Sequence, residues 1–116
     1  MKNYKFTTKP YGQEGFWGVE YDSLEENEKA LFQISSHTWS IEEADQLIND
    51  SLTLENEQEI QYQVDHGHLG IIISKSEGVA FFDLTNREKE EEDFTWTFEQ
   101  FITFMQDFKK FIGENQ

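Results

Sequence analysis

Apolar and polar residues alternate from the start of the chain, with Tyr4, Phe6 and Thr8 set against Lys5 and Thr7. "KPYGQEG" supplies a Pro and two Gly, and "FWGVEY" follows, so the spacing predicts a β-hairpin. "DSLEENE" is polar and acidic, as a loop would be. "KALFQIS" then places Ala30, Phe32 and Ile34 at every second position, the pattern of a third strand. The period changes in "SIEEADQLINDSL", where Ile41, Ala44, Leu47, Ile48 and Leu52 recur at helical spacing. Ser40 with Glu43 three residues on forms a capping box at its start.

In "IQYQV", Ile60, Tyr62 and Val64 alternate with Gln61 and Gln63, a strand with one buried and one wet face. "DHGH" turns the chain into "LGIIIS", apolar on both faces, and "SEG" turns it into "VAFFDL"; these read as central strands. Near the end, Thr97 and Gln100 repeat the capping-box spacing. Phe98, Phe101, Ile102, Met105, Phe108 and Ile112 form one apolar stripe that stops at Gly113, so a long helix closes the chain. The order is βββαβββα. Its hairpin-length connections predict an α+β domain over residues 1–116: one antiparallel sheet of about six strands with two helices packed on it.

Charge changes the picture most. Twenty-four Asp and Glu against nine Lys and Arg give a formal charge of −15. Such a surface repels phosphate backbones and anionic lipid, which argues against direct nucleic-acid or membrane binding, and it attracts cationic proteins. Eleven Phe, four Tyr and three Trp supply a core of large rings, so the charge does not imply disorder. There is no cysteine, hence no disulfide and no thiolate nucleophile, and no run nears the ~20 apolar residues of a membrane span. The chain reads as cytoplasmic.

Motifs that would carry chemistry fall short on inspection. Asp65, His66 and His68 gather potential metal ligands at one turn, but His37 is a helix and a strand away, so a polar turn with Gly67 at positive φ is the better reading. An EF-hand register from Asp22 meets Leu24 at position three, and one from Asp83 meets Arg87 at position five and Glu88 where Gly is needed. No G-x-S-x-G or phosphate-cradling loop is present. With twenty-four acids some carboxylate pair is always adjacent, so pairing singles out no catalytic centre. The expectation is a non-enzyme without metal or cofactor.

The aromatics divide between core and contact. Trp39, next to Ser40, stands where a hydrophobic staple packs onto a helix start. Phe104 and Phe111 lie off the centre of the C-terminal stripe and either widen its buried face or leave an apolar patch for a weak homodimer; otherwise the chain is a monomer. Trp17 and Trp96 are candidates for interface anchors.

Three acidic segments remain: "EYDSLEENE", "LENEQE" and "REKEEED", the last with five carboxylates from Glu88 to Asp93. Each alone reads as a solvated loop; together on a small domain they form a candidate recognition face. The residues singled out are Asp22, Glu25, Glu26, Glu88, Glu90, Glu91, Glu92 and Asp93, with Trp96 as anchor. In size, charge and style the chain resembles the small acidic immunity proteins of bacterial polymorphic and contact-dependent inhibition toxin systems. That resemblance implies a cytoplasmic antitoxin that binds one cognate toxin domain, often a nuclease, and blocks it. Carboxylates would steer and pair; aromatics would anchor. Two alternatives stand beside it: an acidic regulator or DNA mimic that inhibits a nucleic-acid-binding protein, and a small enzyme with carboxylate chemistry.

Overall fold

The first strand, β1 (Phe6–Thr7), pairs antiparallel with β2 (Gly18–Val19), Phe6 opposite Val19. The computed structural model describes residues 4–55, 57–64, 68–85 and 91–115. The expected opening hairpin is therefore present, though its paired part is short.

Where a third strand was expected, over "KALFQIS", the chain forms a 3₁₀ segment at Glu26–Ile34, preceded by a 3₁₀ turn at Tyr21–Ser23 in the expected loop region. The physical reason is a competing period. Glu28, Leu31 and Ile34 recur every three residues and are all buried, matching the three residues per turn of a 3₁₀ helix. The alternation of Ala30, Phe32 and Ile34 is incidental, because Phe32 is only half-buried and faces other rings.

Helix α1 (Ile41–Leu52) starts where Ser40 Oγ accepts from the Glu43 backbone N–H at 3.1 Å. Its buried face holds Ala44, Leu47, Ile48 and Ser51, whose hydroxyl donates to the Leu47 carbonyl at 2.8 Å. Leu52, counted to that face from its spacing, is 44% exposed. The staple position is core: Trp39 is buried, donates from Nε1 to the Ile34 carbonyl at 2.9 Å, and packs its ring on Tyr62 and Phe108.

The main sheet follows as β3 (Glu59–Gln63), β4 (Leu69–Ser74), β5 (Gly78–Asp83) and β6 (Phe94–Trp96), antiparallel in sequential order. β4 and β5 are central, as the apolar runs predict. β6 was not anticipated, being three residues placed directly after the acidic run. Among the described residues six strands are thus present, but in two sheets of four and two, with Phe94–Trp96 replacing the expected Ala30–Ile34 strand.

Register sets the core face. Ile60 opposes Ile73, Tyr62 opposes Ile71, Phe81 opposes both Ile71 and Phe94, and Val79 opposes both Ile73 and Trp96. Gln61 and Gln63 point the other way and are exposed, the one-sided burial the sequence predicts. The Glu26–Ile34 segment and α2 (Phe98–Asn115) pack on this sheet, and α1 lies against α2. α1 also reaches the sheet through the Tyr62 hydroxyl, which donates to Glu43 Oε1 at 2.7 Å.

At the start of α2 both capping-box bonds form: Gln100 N–H to Thr97 Oγ1 at 3.1 Å, and Thr97 N–H to Gln100 Oε1 at 2.8 Å. The helix continues past Gly113 to Asn115, so that glycine does not end it. Phe104 settles the question of the off-stripe rings. It is buried against Tyr4, Phe6, Trp96 and Phe108, and Phe111 packs on Phe6 and Trp17. Both widen the buried face of α2, because the N-terminal strand folds over it.

Candidate functional site

Where that strand crosses α2 it leaves a groove of about 770 Å³. One wall is Tyr4 and Phe6; the floor is the polar side of α2, including Gln100, Thr103 and Asp107; Glu25 closes it from the start of the Glu26–Ile34 segment. The helix side follows from its period: Glu99, Thr103 and Asp107 recur at i, i+4 and i+8, the polar complement of the stripe that buries Phe101, Phe104, Met105 and Phe108. Three carboxylates, Glu25, Glu99 and Asp107, line the groove, and among the described residues no Lys or Arg does.

The Tyr4 phenol registers this environment. Its pKa is pushed up to about 12, first by burial, then by the negative charge of Asp107 and of Glu28. The hydroxyl therefore stays a neutral hydrogen-bonding group at any physiological pH. A concave wall of rings beside three carboxylates suits an extended cationic side chain, whose stem packs on the rings while its head pairs with oxygen.

The residues singled out in the sequence fall into separate places. Glu25 lines the groove, and Asp22 and Glu26 stand exposed close to it in the chain. Glu91 and Glu92 are exposed ahead of β6. At ~3.3 Å per strand residue, Asp93 lies roughly 13 Å from Thr97 at the groove, and none of Glu91, Glu92 and Asp93 lines it. Glu88 and Glu90 lie outside the described residues.

Two assignments change. Trp96 is no surface anchor: it is buried, packed on Phe81 and Phe104, and its indole N–H donates to Glu28 Oε2 at 2.5 Å. Asp93 is half-buried and structural, since its Oδ2 accepts from the Asp83 N–H at 2.7 Å and its own N–H donates to the Phe81 carbonyl at 2.7 Å. Tyr4, Glu28, Glu99 and Asp107 were not singled out. For Glu99 and Asp107 a signal existed in their four-residue spacing about Thr103; for Tyr4 and Glu28 none did.

The "DHGH" turn lies largely outside the described residues, with His68 exposed and its backbone N–H bonded to the Gln33 carbonyl. Among the described residues no three of His, Asp and Glu come together as metal ligands, and no helix is long and apolar enough to cross a membrane. No protein-family model matches the chain, and neither a curated protein nor a solved structure matches it significantly.

Proposed function

We propose that this chain is an immunity protein, which binds a cognate basic toxin domain and blocks it, acting by binding and not by catalysis. The observation that carries the reading is the groove: Glu25, Glu99 and Asp107, from two separate elements, line it together with Tyr4, and no other described residue of its lining carries a charge. Asp22, Glu26, Glu91 and Glu92 extend its negative field, which speeds encounter with a basic partner. A nuclease is the fitting class of toxin, because carboxylates in this groove take the place that substrate phosphates hold in bidentate arginine contacts.

Growth rescue tests it. A basic toxin domain from the reading frame beside this one is expressed with the wild-type chain and with a Glu25→Gln, Glu99→Gln, Asp107→Asn variant. The wild type restores growth, and the variant associates more slowly, with a flatter dependence on salt. Loss of growth with both chains, together with no complex on co-purification, would sink the proposal.

A further inference from the structure

A second surface lies on the hairpin side of the molecule. Four rings from three segments form a continuous ladder: Phe16 to Tyr11 at 5.5 Å between centroids, Tyr11 to Phe32 at 5.4 Å, and Phe32 to Tyr21 at 5.4 Å, each edge to face. Tyr11 and Tyr21 are each 50% exposed, more than any other large apolar or aromatic residue among those described. Edge-to-face rings of this kind are ordinarily a core arrangement. Here its two tyrosines open to solvent, while Phe16 and Phe32 are half-buried.

One cation already sits on it. Lys29 Nζ lies 4.3 Å from the centroid of the Tyr21 ring while donating to the Tyr21 carbonyl at 2.9 Å. Glu14, Glu20 and Asp22 stand exposed beside the rings in the chain. Rings that attract a cation, flanked by carboxylates on a molecule of charge −15, are complementary to a group that is planar, cationic and able to pair with oxygen. That description is a guanidinium. An ammonium, as Lys29 shows, can sit over a ring but has neither a flat face to stack on it nor a fork to pair with carboxylate; a nucleic acid carries the wrong sign, and a second copy of this chain brings the same −15.

We infer that the Tyr11–Phe32–Tyr21 ladder is a docking surface for arginine side chains of a cationic protein segment, separate from the acidic groove and independent of the immunity reading. Phe16 and Phe32 hold the two tyrosines upright; the flanking carboxylates pair with the guanidinium edge.

Hexa-arginine and hexa-lysine peptides, equal in charge, provide the probes, with binding followed by NMR titration. Wild type binds the arginine peptide at least about threefold more tightly than the lysine peptide, because both cations can sit over a ring but only the guanidinium also stacks flat on it and pairs bidentately with carboxylate. The shifts centre on Tyr11, Tyr21 and Phe32. Tyr11→Ala and Tyr21→Ala each reduce that preference, while Tyr11→Phe keeps it. The groove variant Glu25→Gln, Glu99→Gln, Asp107→Asn weakens both peptides alike and leaves the ratio unchanged. Equal affinity of the two peptides for wild type, or a preference that survives both alanine variants, overturns the inference whatever the fate of the groove.

Discussion

Glu28 and Trp96, sixty-eight positions apart in sequence, meet inside the core, where the indole N–H donates to a carboxyl oxygen at 2.5 Å. The bond fastens the Glu26–Ile34 segment to β6, and both side chains are almost wholly buried. Removing one partner leaves the other buried without this bond. Glu28→Ala should therefore cost about 2–3 kcal/mol, whereas Glu28→Gln, which keeps an acceptor, should cost clearly less. Urea unfolding of the two variants checks this. Equal losses would mean that packing, not the bond, holds the segment.

A second tie is more exposed. Lys109 Nζ lies 2.6 Å from Asp45 Oδ1 and links α2 to α1. The hydrogen bond from Lys109 is the first cause that lowers the Asp45 pKa below its ordinary 3.8; partial burial opposes it, and the charge of Lys109 and a bond from Asn49 add to it. A lowered carboxyl gives stability that is present above pH 3.8 and lost as the pH falls through the folded value. Wild type should thus lose stability more steeply than Lys109→Met below that pH. The gap should shrink in concentrated salt, since both groups face solvent. Thermal melts at several acid pH values, with and without added salt, check both halves.

These ties explain what the sequence disclosed and what it withheld. Helix starts were legible at Ser40 and Thr97 because a cap is a local bond, closed within three residues. The alternation of Ile60 and Tyr62 with Gln61 and Gln63 was legible because one face of β3 meets water. Residues 26–34 were not, since alternation and a three-residue period coexist there and partners far along the chain, Trp96 among them, decide between them. The groove was hidden for the same reason. Glu25, Glu99 and Asp107 converge only after Phe104 packs against Tyr4 and Phe6, and among twenty-four acids no local pattern marks those three.

Tyr4 offers a direct reading of the groove's charge. Its phenol, raised from 10.0 to about 12, stays protonated in the folded protein over a range where the unfolded chain releases its proton. The unfolded state then binds fewer protons than the folded one, so this group makes stability fall as the pH rises from about 10 towards 12. Asp107→Asn should bring the Tyr4 pKa down by removing a negative neighbour, and burial should still hold it above the ordinary value. Tyrosinate absorbance, with a Tyr4→Phe protein subtracted to isolate this ring, measures the shift. An unchanged titration in Asp107→Asn would mean that burial and Glu28, not Asp107, raise it.

The acidic run ahead of β6 divides by role. Asp93 accepts from the Asp83 N–H and donates its own N–H to the Phe81 carbonyl, which extends the β5–β6 pairing beyond the paired strand residues. Glu91 and Glu92 are exposed. Asp93→Ala should therefore cost about 1–2 kcal/mol, because it leaves a partly buried N–H without its acceptor, while Glu91→Gln and Glu92→Gln should stay within about 0.5 kcal/mol of wild type. Their effect belongs to encounter. The Glu91→Gln, Glu92→Gln double variant should bind hexa-lysine with a shallower salt dependence and an unchanged unfolding midpoint, since exposed charges act through the long-range field. Chemical denaturation and peptide titration at two ionic strengths separate the roles. A destabilised double variant, or an Asp93→Ala protein as stable as wild type, would reverse the assignment.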